Sequence, residues 1–297
     1  MLFCSKQNKE GFMKALYFNI KEAPRAIKAF VGPATTIAAK LAPRMFAKLC
    51  FKVFMNPRGI RDYVFRKINP ESFDIDSRQG KIRVYKVPGG EKHILLTHGW
   101  ADTSKSLETL MIHLKNEDYT VWCFDHSGHG KSEGNVSNLF AFADGMSEVI
   151  KHIEEDHKLY ALISHSMGGA GIINQDKEFL ESKKIVFISS PVMIFEEMFV
   201  TFARIGISGE VLTQVLEYIS DIYQKGWEEL KPMKHKDKLH EQCFFIHDKE
   251  DKQCKYENIL KLIEGVDVFL KITEGLGYCR VLKEELVLSS VSSFLKN

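Results

Sequence analysis

Residues 160–171 read YALISHSMGGAG, an apolar run that reaches a serine and continues into small residues. A buried strand that turns sharply into a helix has this pattern, and Ser166 lies at the turn. A serine held there can act as a nucleophile, and the next backbone N–H lies at a helix N-terminus, where it can stabilise an oxyanion. An ordinary helix with a serine N-cap fits the same residues. The stretch alone leaves both interpretations open.

Other short runs along the chain share the β-rich, apolar character of this strand. They are HILLTHG, YTVWCFDH, KIVFISSP, QCFFIHD and VDVFLKIT, and amphipathic stretches separate most of them. This spacing is typical of βαβ units, and it predicts an α/β fold with a mostly parallel central sheet flanked by helices on both faces. Ahead of them, FDID and KIRVYKV flank SRQG and predict an antiparallel hairpin.

The composition is that of a globular protein, with 44% hydrophobic and 27% charged residues among 297. The six cysteines form neither CxxC pairs nor a His-rich ligand pattern, and a chain of this length does not need disulfides. We therefore expect reduced thiols in a cytoplasmic protein, with no metal and no cofactor. We expect neither a signal peptide nor a membrane span, because no apolar run approaches about 18 residues.

A long helical segment at about residues 192–240 interrupts the alternation of strands and helices. It is too long for a simple crossover between two strands, so we interpret it as a cap over the carboxyl ends of the strands. Additional helix covering the core explains the same residues equally well. We expect a basic helical N-terminal extension at residues 1–60 and an α/β domain at residues 61–297 that contains this insertion.

The N-terminal extension is strongly basic, since residues 1–69 hold 14 Lys or Arg and 3 Asp or Glu. Pro24, Pro33 and Pro43 divide it into short predicted helices, in which basic residues interleave with Phe, Leu, Ile and Met. Such helices either lie on an anionic membrane surface or pack their apolar side on the domain. We favour packing and keep peripheral membrane contact as the alternative. Nucleic-acid binding is not expected, because no recognisable motif accompanies the charge.

Four further segments occur in a fixed order around the strand runs. They are LLTHGWADTS at 95–104, CFDHSGHGKSEG at 123–134, IHDKEDKQC at 246–254 and TEGLGYCRVL at 273–282. Together with YALISHSMGGAG, this ordered set resembles the α/β-hydrolase superfamily, and most of all its bacterial, esterase-like serine-hydrolase branch. The resemblance implies an α/β-hydrolase fold with a helical cap and a carboxylic ester or related acyl compound as the substrate.

The resemblance assigns roles to individual residues. It makes Ser166 the nucleophile and Asp251 the acid of the catalytic triad. The backbone N–H groups of Trp100 and Met167 become the oxyanion donors. Ser164 replaces the first glycine of the usual G-x-S-x-G pentapeptide, which is a modest steric change. For Asp251, a solvated loop carboxylate is the other interpretation.

A tyrosine stands where the resembled family has its catalytic histidine. Tyr278 follows Gly-Leu-Gly, the position of that histidine. Neutral imidazole takes the serine proton because its pKa lies near working pH, but a phenol of pKa near 10 is ionised in only about one molecule in a thousand at pH 7. We expect Tyr278 to donate a hydrogen bond to Asp251 instead. Asp248, which opens the acid loop, is expected to be structural.

All eleven histidines lie at or before His247, so none follows the predicted acid. His98, His126 and His129 fall in loops at the carboxyl ends of strands, near the predicted site. His165 should point to the opposite side of its strand from the nucleophile. We expect all of these side chains to be structural. A displaced base would require a rearrangement of the site.

Two functions of different classes follow from these residues. The first is a serine hydrolase with an incomplete triad of Ser166, Asp251 and Tyr278, which would have weak activity. The retained nucleophile, oxyanion loop and acid favour it. The second is a non-catalytic pseudo-hydrolase that keeps the pocket and binds a small apolar ligand or a partner. Tyr278 favours this alternative.

Overall fold

The computed structural model describes residues 23–57, 59 and 61–297 of the protein. The start of the predicted basic extension, residues 1–22, therefore lies outside the described residues. The chain divides into two compact units. The smaller unit joins residues 23–57 to Met193–Lys231, and the larger unit joins Gly59–Val192 to Pro232–Asn297.

An eight-stranded sheet forms the centre of the larger unit. Its strands are β1 (Glu71–Ile75), β2 (Ile82–Val87), β3 (His93–Thr97), β4 (Thr120–Phe124), β5 (Leu159–His165), β6 (Lys184–Ile188), β7 (Cys243–Asp248) and β8 (Phe269–Thr273). Their spatial order is β1-β2-β4-β3-β5-β6-β7-β8. Strand β2 pairs antiparallel with β1 and β4, and the other neighbouring strands pair in parallel. The predicted hairpin and mostly parallel sheet are confirmed.

Helices connect most of the strands and form the smaller unit. They are α1 (Arg25–Leu41), α2 (Pro43–Phe54), α3 (Glu108–Asn116), α4 (Leu139–Glu154), α5 (Met167–Ile173), α6 (Lys177–Glu181), α7 (Ile194–Arg204), α8 (Gly209–Tyr223), α9 (Tyr256–Ile263), α10 (Gly277–Arg280) and α11 (Glu285–Lys296). Short 3₁₀ turns occur at Ser104–Leu107, Trp227–Leu230, Pro232–Lys238 and Val281–Lys283.

The core of the larger unit explains why its strands are continuous apolar runs. Alternate strand residues, such as Leu96 and Ile163, pack with Leu110 of α3 and Val291 of α11 on one face of the sheet. Every residue of β3 and β4 is buried, because both faces of the sheet are covered. Each fully buried aliphatic side chain of this kind contributes about 1.5–3 kcal/mol. The packing fixes the strand ends that carry the candidate site.

The smaller unit combines the basic helices with the helices of the predicted insertion. The backbone N–H of Ala23 donates to the carbonyl of Arg204 (3.1 Å), and the rings of Phe54 and Phe202 lie 4.7 Å apart. Pro33 lies inside α1 and does not end the helix, which differs from the sequence prediction. The division into extension and domain, and the role of the insertion as a cap, stay predictions.

Candidate functional site

Ser166 lies at the sharp turn between β5 and α5, as the sequence predicted. Its backbone has φ 53° and ψ −130°, a strained conformation for a residue with a side chain. The backbone bonds Ser166 N to Ile188 O (3.0 Å) and Gly169 N to Ser166 O (2.9 Å) support the turn. The hydroxyl makes no capping bond to α5, so a simple N-cap does not explain this residue. The Oγ atom is buried, and it forms no hydrogen bond of normal geometry with any of the described residues.

The small residues after Ser166 allow α5 to approach the end of β3. A Cβ atom added at Gly168 would lie 2.8 Å from the carbonyl oxygen of Thr97 and 2.9 Å from that of His98. These are backbone atoms of a buried strand and cannot move away easily. The close approach places the loop that follows β3 beside the Ser166 turn.

Three distant segments of the sequence meet at Gly99. A Cβ atom added there would lie 2.7 Å from Ser166 Cβ, 3.0 Å from Ser166 Oγ and 3.3 Å from Tyr278 Oη. The serine and tyrosine hydroxyls therefore face each other across this glycine. The structure thus brings together Ser166 and Tyr278, which are more than a hundred residues apart in the chain.

The two residues predicted as oxyanion donors flank this point. Trp100 follows Gly99 directly, and Met167 is the first residue of α5. The next residue in the β3 loop, Ala101, has a positive φ of 54°, and its backbone N–H donates to His129 Nε2 (3.1 Å). This bond ties the β3 loop to the segment that carries His129.

The Tyr278 phenol is a neutral group at physiological pH. Loss of solvation raises its pKa well above the ordinary value of 10, and the nearby Cys254 thiol adds to the rise, whereas the Ser166 hydroxyl opposes it. A neutral phenol can donate its O–H in a hydrogen bond. It is a weak base, however, and takes up an additional proton only poorly. Tyr278 in this state cannot remove the Ser166 proton as an imidazole does.

Asp251 does not accept the hydrogen bond that the sequence analysis predicted from Tyr278. Its Oδ1 atom accepts from the backbone N–H groups of Gln253 (2.8 Å) and Cys254 (3.0 Å), within its own loop. Its Oδ2 atom is buried and has no hydrogen-bond partner among the described residues; His247 Nε2 lies 3.9 Å away. The prediction was wrong because the phenol points to Gly99 and Ser166. The carboxylate keeps one unused acceptor.

His165 contacts the tyrosine loop, contrary to the expectation that it would point away from the site. Its ring lies 4.6 Å from the ring of Tyr278, and its Nε2 atom donates to the Tyr278 carbonyl (3.1 Å). Strand alternation fails as a guide here because β5 ends at His165 and the chain turns at the next residue. Burial lowers the pKa of His165, so the ring is neutral and serves as a support for Tyr278.

Asp248 holds the loop that carries Tyr278. Its Oδ2 atom accepts from Thr273 Oγ1 (2.8 Å) and from the backbone N–H of Leu276 (2.9 Å). Burial disfavours the charged form, but these bonds and one from the Gly277 backbone outweigh it and lower the pKa of Asp248. The carboxylate is therefore ionised and ties the end of β7 to the glycine turn, which agrees with the structural role predicted for it.

His98, His126 and His129 form a buried cluster behind the β3 loop. The backbone N–H of His126 donates to His98 Nε2 (3.1 Å), and His126 Nε2 lies 2.7 Å from Thr97 Oγ1. Burial lowers the pKa of both His126 and His129 well below the ordinary value, so these two rings are neutral. These contacts agree with the predicted structural roles.

Comparison with known proteins places the chain in a family. Residues 90–258, more than half of the 297-residue chain, match the family model described as serine aminopeptidase, S33. The chain belongs to the serine aminopeptidase S33 family. Human monoglyceride lipase is 30% identical over 158 residues, which cover 51% of this chain and 52% of that protein. The chain thus matches about half the length of this curated relative.

Solved structures show the fold of this S33 family member. A Pyrococcus furiosus esterase superposes with a TM-score of 0.61 at 19% identity, over 81% of this chain and 98% of that one. Est1E from Butyrivibrio proteoclasticus gives a TM-score of 0.59 at 16% identity, over 76% and 97%. The predicted α/β-hydrolase fold is confirmed. In the described part of the chain, no group of three or more His, Cys, Asp or Glu side chains is arranged to hold a metal ion.

The sequence analysis of this S33 family member missed Asp102. This carboxylate lies in the β3 loop, three residues after Gly99, and its Oδ1 atom accepts from the Thr103 N–H (2.9 Å). Its negative charge acts to raise the pKa of both Tyr278 and His165. The only sequence signal was its position in the HGWAD segment. Asp102 further disfavours ionisation of the phenol.

Proposed function

We propose that this S33 family member is a serine hydrolase that acts weakly on a carboxylic ester or related acyl substrate through Ser166, with an incomplete triad. The junction at Gly99 carries the proposal. The Ser166 hydroxyl lies there on a strained turn without a hydrogen-bond partner of normal geometry, and the only side chain at the histidine position is a neutral phenol. The nucleophile is positioned, but its proton has no efficient acceptor.

The reaction that fits these residues is acyl transfer to the serine oxygen. Ser166 Oγ forms a bond to the acyl carbon while the carbonyl π electrons move to its oxygen. The backbone N–H groups of Trp100 and Met167 stabilise that oxyanion. The oxyanion then collapses, the C–O bond breaks, and the alkoxide leaves and takes a proton from water. A second water molecule hydrolyses the acyl-enzyme. In the absence of a protein base, the Ser166 proton passes to water or hydroxide, which makes the attack slow.

An ester fits this incomplete site better than an amide. An amine leaving group must be protonated as the bond breaks, and a triad histidine normally supplies that proton. An activated ester releases a more stable anion and needs less help. The names of the relatives support the same choice, since they include a monoglyceride lipase and an esterase. We therefore place carboxylic esters ahead of peptides as substrates.

The unused Oδ2 atom of Asp251 supports the view that one group is missing from the triad. A buried carboxylate oxygen without a donor costs about 1–3 kcal/mol. In a complete triad the acid accepts from the histidine Nδ1–H. Asp251 therefore retains an acceptor for a histidine that this chain does not have.

A second candidate is a non-catalytic protein that binds a small apolar ligand or a partner at the same site. The raised pKa of Tyr278 favours it, because a site without a working base resembles a binding pocket more than an enzyme. Such a protein would not need the strained backbone of Ser166. The positive φ at this residue favours the hydrolase.

Labelling with a fluorophosphonate probe distinguishes the two candidates. We expect slow labelling of the full chain that disappears in Ser166→Ala. Ser289→Ala, which removes an exposed serine on α11, is the matched control and should label like the native protein. Absence of labelling in a folded native chain after long exposure would favour the binding protein. Labelling that persists in Ser166→Ala would show that a different nucleophile reacts.

A further inference from the structure

Helix α2 exposes two parallel rows of opposite character. Met45, Leu49 and Val53 form an apolar row at four-residue spacing, and Met45 is 73% exposed. Arg44, Lys48 and Lys52 form a basic row at the same spacing, one residue earlier. Residues four apart lie above one another on a helix, so the two rows run side by side.

Helix α1 adds a second exposed apolar row. Ile27, Phe30, Ile37 and Leu41 follow the three- and four-residue spacing of one helix face, and Phe30 and Leu41 are 77% and 81% exposed. The two helices together hold six Lys or Arg and no Asp or Glu. Exposed apolar side chains that follow one helix face beside charge of a single sign are typical of an interaction site.

The remaining faces of both helices are already occupied within the smaller unit. The ring of Phe51 lies 6.1 Å from that of Tyr218 of α8, and Ala47 and Cys50 are buried. On α1, Gly32 lies so close to the Gly206 carbonyl that a Cβ atom would approach it to 2.9 Å. The exposed rows therefore point away from the helices that these residues contact.

The charge of the rows determines what can cover them. Arg44 makes only a loose, exposed ion pair with Asp221 (3.8 Å), and Lys48 and Lys52 make none with the described residues. A second copy would bring the same basic row against itself. The 22 residues ahead of the described chain carry four Lys and two Glu, so they do not supply the opposite charge either. A nucleic-acid duplex offers no apolar surface for Leu49 and its neighbours.

We propose that α1 and α2 form a peripheral binding surface for anionic lipid membranes. The apolar rows enter the boundary between head groups and acyl chains, while the basic row lies at the level of the lipid phosphates. No helix in the described part of the chain has the length and apolar character needed to cross a membrane. The proposal uses no residue of the candidate site and does not depend on the proposed hydrolase activity.

Co-sedimentation of the full chain with vesicles tests the proposal. The vesicles contain either phosphatidylcholine alone or phosphatidylcholine mixed with phosphatidylglycerol. We expect at least tenfold tighter binding to the anionic vesicles. Binding should weaken as the salt concentration rises, because salt screens the attraction between the basic row and the anionic head groups. Lys48→Gln with Lys52→Gln should lower the affinity about tenfold or more. Leu49→Asn with Val53→Asn should lower it by a similar factor, through lost apolar burial.

Lys283, in the 3₁₀ turn before α11, and Leu286, in α11, provide a control that we call the α11 control. Lys283→Gln with Leu286→Asn also removes one exposed cation and one exposed leucine, and it should leave vesicle binding unchanged. All three double variants alter exposed positions, so their thermal unfolding should match that of the native chain. Ser166→Ala should bind as the native chain does.

Three results would overturn the proposal. One is failure of the folded chain to bind anionic vesicles at low salt. Another is equal loss of binding in the α11 control. The last is a change in oligomer size for Leu49→Asn with Val53→Asn without a change in vesicle binding, which would assign the rows to contacts between copies.

Discussion

The turn that carries Ser166 and the loop that carries Tyr278 meet at Gly99, yet only the first matches what the proposed serine hydrolase requires. The Ser166 turn is held by backbone hydrogen bonds, a strained φ and the close approach of Gly168 to β3. The Tyr278 loop is tied down equally well by Asp248, but it presents a phenol that cannot accept a proton. Backbone packing preserves the position of a nucleophile, whereas base catalysis depends on one side chain.

The largest effect is expected from placing a base at the position of Tyr278. Tyr278→His places an imidazole beside Ser166, and we expect the unpartnered Asp251 Oδ2 to accept its N–H. Turnover of a small activated ester should rise by about tenfold or more, within the roughly 10² to 10⁴ that a positioned base contributes. The smaller ring fits the space, although a small cavity lowers stability.

Tyr278→Phe is the control for this gain. It removes the hydroxyl but introduces no base, so its turnover should stay within about threefold of the native rate. The native chain should not hydrolyse esters at the rate of an ordinary esterase. Such a rate would require a base outside the Tyr278 loop and would contradict the contrast between that loop and the Ser166 turn.

A smaller effect should follow from filling the contact that holds the Ser166 turn. Gly168→Ala drives a methyl group into the carbonyl oxygens of Thr97 and His98 and should cost about 1–3 kcal/mol of unfolding free energy. Gly171→Ala is the matched change in the same helix, where the nearest atom to the new methyl is 3.5 Å away. It should be neutral or stabilise by about 0.5–1 kcal/mol. Denaturant unfolding of the two variants measures the difference, and equal stability would show that the turn is not tightly packed.

The pH dependence of folding stability should test whether the buried histidine cluster behind the β3 loop is neutral. Burial lowers the pKa of His126, so the unfolded chain binds more protons than the folded one below about pH 6.5, and stability falls as the pH drops from 7 to 5. His126→Gln should reduce that slope by up to about 1.4 kcal/mol per pH unit. Ser289→Ala, which removes no titratable group, should leave it unchanged. Thermal unfolding across this range provides the test, and identical slopes in the native chain and His126→Gln would count against the neutral buried cluster.

The smallest effect is expected from removing the acid in the native background. Asp251→Asn should change ester turnover by less than about threefold, because there is no histidine for the carboxylate to orient. Combined with Tyr278→His, the same substitution should remove most of the gain, since loss of the acid from a complete triad costs about 10⁴. A large loss in the native background would mean that Asp251 acts directly on another group.

The fold could be predicted from sequence because buried strands and glycine turns leave local patterns. Six strands coincide with or overlap the runs identified by their apolar character, β1 and β2 overlap the predicted hairpin, and Ser166 lies at the predicted turn. The direction of the Tyr278 hydroxyl could not be predicted, because it depends on the hydrogen bonds that the acid loop makes within itself. The contact of His165 with Tyr278 was missed for a similar reason, since strand alternation carries no information beyond the last strand residue. Asp102 had no motif to identify it.

The pH dependence of the acylation rate, compared between the native chain and Tyr278→His, tests most directly whether the nucleophile lacks only a base. The variant should show a rate that rises with pH along a single titration near the ordinary histidine pKa of about 6.5 and then levels off. The native chain should show no such titration between about pH 5 and 9, because the pKa of Tyr278 lies well above that range. A titration of the same kind in the native chain would reveal a base already at work beside Ser166. A folded Tyr278→His variant without the titration would show that more than the base is missing.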